Sequence, residues 1–246
     1  MRLVIRTAAP VSTLRYQRVL VKLSGEAFGG DGGGIEPARL RLIADEVRSL
    51  CKLGVEVAID VGGGNIWRKR NQGKGLPQAA ADYLGLLGTV MNSYMLRAAL
   101  IQAKVPCLLQ SPLATDLPGV SKVDVVTVRG ALRRKEIVIF GGGTGRINFT
   151  TDTAAAEHAV QIKADVVIKT GPADGVYTAD PKKVRSAKKF TELTIAQALR
   201  LHLGVMDKEA LALCLKNNLP IIVCRWQKGV LARVVRGEGV GTLVQP

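Results

Sequence analysis

Lys22 and Lys169 each close a short apolar run, Arg18-Val19-Leu20-Val21-Lys22 and Asp165-Val166-Val167-Ile168-Lys169. Such a run reads as a buried strand, and a lysine at its carboxyl end delivers a cation to the edge where open α/β sheets bind ligands. Ser24 and Gly25 follow Lys22 and favour a working lysine over a solvated one. Two glycine clusters also follow apolar runs: Gly62-Gly63-Gly64-Asn65 after Val55 to Val61, and Gly141-Gly142-Gly143-Thr144-Gly145 after Ile137 to Phe140. Glycine lets a phosphate approach the backbone closely, and N–H groups at the following helix start attract anions. Arg68, just beyond the first cluster, is placed for a bidentate grip on phosphate. Asp152 opens the helix after the second cluster. Phosphoryl transfer asks for little else: in-line positioning, and cations against the charge spread over the transferred group. An anionic acceptor oxygen makes a protein nucleophile unnecessary, so the pattern points to two phosphorylated ligands meeting face to face.

Several other chemistries are excluded. The sequence has no G-x-x-x-x-G-K-[ST], no G-x-G-x-x-G after a strand and no G-x-S-x-G, so neither a P-loop, a dinucleotide fingerprint nor a serine-hydrolase elbow is present. Cys51, Cys107, Cys214 and Cys224 show no metal-type spacing, which favours a reduced setting. His158 and His202 read as packed or surface residues of helical segments. No apolar run approaches the roughly 20 residues of a membrane span, so no membrane partner is expected. A net charge of +15 attracts polyanions and nucleotide phosphates alike. Aromatic content of 4%, not interleaved with the basic runs, offers no stacking platform for single-stranded RNA.

The elements that must position these groups alternate between strand and helix. Leu40, Ile43, Ala44, Val47 and Leu50 fall at helical spacing between Pro37 and Leu53, with Gly54 as the stop. Ala79 to Ala103 reads as a long apolar helix or helix pair. Within it Asp82 has two readings, an N-cap or a carboxylate for a sugar hydroxyl. Cys107 to Gln110 and Asp124 to Val128 read as strands, and Leu132 to Lys135 as a basic bend. Thr153 to Ile162, Ile195 to Leu203, Lys208 to Asn217 and Val230 to Arg236 read as helices, and Pro220 to Cys224 as a strand. Gly29 to Gly34 is a glycine-rich tip, and Lys182 to Lys189, with five basic side chains, an exposed loop. The predicted fold is α/β, a mainly parallel sheet with helices on both faces. A single domain is expected over 16–246, preceded by a flexible tail over 1–15 that holds Arg2, Arg6 and Arg15 and no acid.

Val21-Lys22-Leu23-Ser24-Gly25-Glu26-Ala27, Gly62-Gly63-Gly64-Asn65-Ile66-Trp67-Arg68, Ala81-Asp82-Tyr83-Leu84-Gly85, Phe149-Thr150-Thr151-Asp152, Asp174 to Pro181 and Val205-Met206-Asp207 together resemble the bacterial-type UMP kinases of the amino-acid kinase superfamily. The similarity runs in order from about residue 16 to 245. It implies a three-layer αβα sandwich, the carbamate-kinase-like fold. It also implies a homohexamer transferring the γ-phosphoryl group of ATP to UMP, with Mg²⁺ held mainly by the nucleotide phosphates. By that resemblance Lys22, Lys169 and Asp152 are the catalytic set, Asp152 orienting the lysines rather than acting as a base. Lys22, Leu23, Ser24, Gly25, Gly64, Arg68, Gly171, Tyr177 and Asp180 would hold ATP. Gly63, Arg68, Asp82, Thr144, Gly145, Arg146, Ile147, Asn148, Phe149, Thr150 and Thr151 would hold UMP. A GTP effector is implied at the glycine-rich tip, and a cytoplasmic setting, with a plastid as the alternative.

Three departures stand against the resemblance, one being that residues 112 to 130 lack the family's usual Arg-rich pattern. The family's Thr-Gly-Asn-Pro-Phe-Phe-Thr-Thr-Asp becomes Thr-Gly-Arg-Ile-Asn-Phe-Thr-Thr-Asp here, so Arg146 brings a cation near the base and a proline is lost. After Lys169, Gly171 stands where the family carries a threonine. The competing function is a kinase-like fold serving as a nucleic-acid-binding or structural subunit, which would account for the +15 charge and the altered loop together.

Overall fold

The computed structural model describes residues 14–29, 34–68, 73 and 75–246. Most of the expected tail, the centre of the glycine-rich tip at Gly30 to Gly33, and Lys69 and Arg70 lie outside the described residues. Among the described residues nine strands form one sheet: β1 (Arg18–Leu23), β2 (Glu56–Val61), β3 (Cys107–Ser111), β4 (Val120–Lys122), β5 (Ile137–Phe140), β6 (Val166–Gly171), β7 (Glu192–Thr194), β8 (Ile221–Arg225) and β9 (Thr242–Gln245). Their spatial order is β4-β3-β5-β2-β1-β6-β8-β9-β7. Pairing is parallel from β4 through β8; β9 runs antiparallel to β8 and carries β7 parallel to itself. The four central strands β5, β2, β1 and β6 therefore bring both glycine clusters and both strand-end lysines to one edge of the sheet.

The helices are α1 (Glu26–Gly29), α2 (Pro37–Lys52), α3 (Gln78–Gln102), α4 (Val125–Arg133), α5 (Thr151–Ile162), α6 (Ile195–Arg200), α7 (Lys208–Lys216) and α8 (Val230–Val235). Strand side chains alternate between faces, and the core divides accordingly. Val19, Val21 and Leu23 of β1 join residues of α2, α3 and α8 on one face. Leu20 joins residues of α4, α5, α6 and α7 on the other. This is the expected three-layer αβα sandwich. The central strands are buried on both faces, which is why they read as continuous apolar runs.

Three expectations are corrected. Asp124 to Val128 is not a strand: Asp124 caps α4 by accepting the Thr127 N–H at 2.7 Å, and Val128, Ala131 and Leu132 bury one helical stripe. The β-branched run looked like a strand because propensity is local, whereas the packing at i, i+3 and i+4 is set by the second core. Leu132 and Arg133 are accordingly the last turn of α4, with Lys135 at φ 63° closing the bend. The third concerns α3, which is long and apolar enough by length and composition to cross a membrane. It serves as a domain helix instead. Thr89, Asn92 and Ser93 are buried on its inner side, with Leu96 and Leu100 in the core. Short β4, β7 and α1 had no sequence reading, being too brief to show a period.

Candidate active site

β1 and β6 are neighbours in the sheet with Lys22 and Lys169 as register partners, so both side chains leave the same face at the same level. α5 covers that face, and its first turn presents Asp152. Lys22 Nζ lies 2.9 Å from Asp152 Oδ1, and Lys169 Nζ donates to Oδ2 at 2.7 Å and to the Val205 carbonyl at 2.6 Å. Burial works against the charge on Asp152, yet the two ammonium groups outweigh it and hold the carboxyl below its ordinary value. Burial, helped by the Lys22 charge, pulls Lys169 below the ordinary lysine range despite the carboxylate it holds. A buried cluster of two cations and one anion carries net positive charge, which suits a transferring phosphoryl group.

Asp152 is fixed by what surrounds it. Thr150 caps α5, its hydroxyl accepting from the Asp152 N–H at 3.0 Å and the Thr153 N–H at 3.4 Å. Asp207 accepts from the Thr153 hydroxyl at 2.9 Å, from the Thr150 hydroxyl, and from the Ala210 N–H at 2.8 Å. One carboxylate thus ties the N-termini of α5 and α7 together. The sequence offered only a partial signal, an Asp three residues ahead of Ala210 at a helix start; the tie to Thr150 and Thr153 has no local signature.

The first glycine cluster packs against both neighbours. A methyl on Gly25 would lie 2.6 Å from the Gly64 nitrogen, and one on Gly63 would lie 2.8 Å from the Gly85 carbonyl of α3. The two loops and α3 approach to backbone contact, which only glycine permits. Asn92 of α3 donates to the Gly62 carbonyl at 2.7 Å and to Asn65 Oδ1 at 2.7 Å, while Asn65 donates to Asn92 Oδ1 at 3.0 Å. Thr89 accepts from the Gly142 N–H at 2.7 Å, so the same helix holds the second cluster. Arg68 stands over the first loop, Nε donating to the Gly64 carbonyl at 2.8 Å and Nη2 paired with Glu26 at 2.6 Å.

Two cavities are lined by residues near the cluster in sequence, Ser24 and Thr170 in one and Thr150 and Thr151 in the other. One of about 640 Å³ is lined by Ser24, Gly171, Tyr177 and Asp180 of the expected ATP set, and by Arg225 and Trp226, which the sequence reading did not single out. The Tyr177 hydroxyl donates to Asp174 Oδ1 at 2.8 Å, and this bond pushes the phenol upward. Asp180 caps the next turn by accepting the Lys182 N–H at 2.9 Å. Leu23 is fully buried in the core, so only its backbone faces the loop. The other cavity, about 300 Å³, is lined by Gly63, Gly64, Asp82, Arg146, Phe149, Thr150 and Thr151. Thr144, Gly145, Ile147 and Asn148 form the adjoining turn, with Gly145 and Asn148 at φ 73° and 66°. Asp82 lies inside α3, whose cap position is Pro77, so its N-cap reading falls. Its carboxylate accepts the Asn148 N–H at 3.1 Å across the cavity rim. Arg146 stacks over Phe149 with its guanidinium carbon 4.2 Å from the ring centroid and pairs with Glu157.

Among the described residues no cluster of His, Cys, Asp or Glu is arranged to hold a metal ion. The carboxylate at the centre is committed to two lysines.

Residues 17–225 match the model of the Amino acid kinase family. Among solved structures, the chain is similar to the UMP kinase of Bacillus anthracis at 36% identity and a TM-score of 0.89, over 94% of this chain and 96% of that one. It is similar to the UMP kinase of Ureaplasma parvum at 29% identity and TM-score 0.87, over 95% and 100%. The uridylate kinase of Archaeoglobus fulgidus matches at 28% identity and TM-score 0.73, over 92% and 99%.

Proposed function

The chain belongs to the amino acid kinase family, and from that premise we propose that it is a nucleoside monophosphate kinase transferring the γ-phosphoryl group of ATP directly to UMP. The observation that carries this reading is the Lys22–Asp152–Lys169 cluster at the carboxyl ends of β1 and β6. ATP would occupy the larger cavity with its phosphates over the Ser24-Gly25 and Gly62 to Gly64 backbone. UMP would occupy the smaller one, its ribose toward Asp82 and its base toward Arg146 and Phe149. The two lysines take up the charge of the transferred group, and Asp152 holds them at the required spacing. Its carboxyl, held low by those cations, is unsuited to act as a base. Mg²⁺, when bound, would supply further neutralisation of the phosphates, and the resemblance implies that the nucleotide holds it.

The resemblance also supports one catalytic unit over 16–246, a homohexamer and a cytoplasmic setting. α3 leaves Tyr83, Leu84, Leu87, Met91 and Met95 exposed along one stripe, an apolar surface of the kind that subunit contacts cover. Cys214 and Cys224 are free thiols pushed up to about 12 by burial, consistent with inert packing groups.

Purified protein with ATP, Mg²⁺ and UMP provides the test. UDP formation that collapses in Lys22→Ala is expected. No turnover together with salt-sensitive RNA binding would reject the reading in favour of a non-catalytic subunit, and preference for another acceptor would reject UMP.

A further inference from the structure

Four residues stand side by side across the central strands, Lys169, Lys22, Asp60 and Phe140. α5 lies over this row and grips it twice. Its first turn holds the two lysines through Asp152. Further along, His158 holds the other two: Nδ1 is 2.7 Å from Asp60 Oδ2, and the imidazole stacks on Phe140 with centroids 3.9 Å apart at 10°. Asp60 is 0% and His158 5% exposed, on the side of the sheet where Ala58, Val138 and the alanines of α5 form part of the core.

This pair is an expensive way to fill a core. Asp60 Oδ1 has no hydrogen-bond partner among the described residues. A buried unmet acceptor and a buried carboxylate both cost stability that an apolar pair of similar volume would not. What the pair supplies is direction. Apolar contact is non-directional and tolerates sliding, whereas one hydrogen bond to β2 and one ring stack on β5 fix the imidazole along two axes. Asp60 stands two residues before Gly62, and Phe140 directly precedes Gly141. The clamp therefore refers α5 to the same two strands whose ends carry the glycine clusters.

We propose that Asp60 and His158 are positioning residues for phosphoryl transfer, setting the placement of α5 so that Asp152 meets Lys22 and Lys169 in register with both glycine loops. The inference rests on the UMP kinase reading for its rate measurement only. A small displacement of a catalytic group costs far more rate than binding, so the effect belongs in kcat.

The test is the double variant Asp60→Val/His158→Leu, assayed for UDP formation, thermal stability and amide hydrogen exchange of the α5 peptide. The expected result is a melting temperature at or above that of the parent, kcat lowered about tenfold or more, KM for ATP and UMP within about twofold, and faster exchange in the first turn of α5. A stable double variant with parental kcat and parental exchange overturns the proposal, as does a rise in KM with kcat kept. Should the double variant not fold, His158→Asn, which retains a donor toward Asp60, is compared with His158→Leu. Better kcat in the asparagine variant supports the proposal, and equal kcat overturns it. Absence of UDP formation by the parent would reject the kinase reading alone, because exchange in α5 tests the clamp without turnover.

Discussion

Lys22 and Lys169 are register partners on adjacent parallel strands, and one carboxylate, that of Asp152, holds both ammonium groups within 2.9 Å. Removing the carboxylate leaves two cations buried side by side. Asp152→Asn is expected to lower kcat by a factor of about 10² to 10³ and to cost about 3 kcal/mol of stability, as breaking a buried pair does. Steady-state kinetics and denaturant unfolding check the two effects separately.

The pH dependence follows from opposite shifts in opposite charge types. Asp152 is depressed, so its contribution to stability is present above the unfolded value of about 3.9 and is lost only as pH falls through its lower folded value. Lys169 is depressed as a cation, so between its folded value and the unfolded value of about 10.4 the unfolded chain binds more protons. In that window stability contributed by this group rises with pH while the cation needed for transfer is lost. A basic limb in kcat set in below the ordinary lysine range, without a matching loss of stability from this group, is expected. The residual rate of Lys169→Gln should lack that limb.

Gly25→Ala tests the contact between the loop after β1 and the first glycine cluster. The added methyl meets the Gly64 nitrogen at 2.6 Å and the Asn65 nitrogen at 2.9 Å, which are backbone and cannot swing away. A loss of about 1–3 kcal/mol is expected, as for overpacking elsewhere, with a rise in KM for ATP. Gly171→Ala is the control for fold: nothing lies within 4 Å of its added methyl, so the melting temperature should be unchanged.

Arg146→Asn, which restores the residue usual in the resembling family, removes the stack on Phe149 and the pair with Glu157. At an exposed site these contribute about 0.5–1 kcal/mol, so stability should change little. KM for UMP is expected to move several-fold and the preference among pyrimidine monophosphates to shift, since a guanidinium only donates hydrogen bonds. A panel of nucleoside monophosphates with both variants measures this.

Leu87→Glu with Met91→Glu places two charges on the exposed stripe of α3. If the proposed homohexamer forms through this stripe, its loss without loss of the monomer fold is expected in light scattering and circular dichroism.

The sequence by itself determined the central strands, both glycine clusters and the lysines that end β1 and β6. Each is a local pattern: an apolar run buried on both faces, then residues that a strand end must present. It also carried enough specific motifs for the family to be legible. Asp124 to Val128 was misread because β-branched residues favour a strand locally, while a cap at Asp124 and a stripe buried against the second core make it a helix. Tertiary structure alone decided the register that sets Lys22 beside Lys169, the contact of Gly25 with Gly64, the tie of Asp207 to Thr150 and Thr153, and the grip of His158 on Asp60. These join residues far apart in the chain through sheet order and helix placement, and such contacts leave no periodicity or spacing in the sequence to be read.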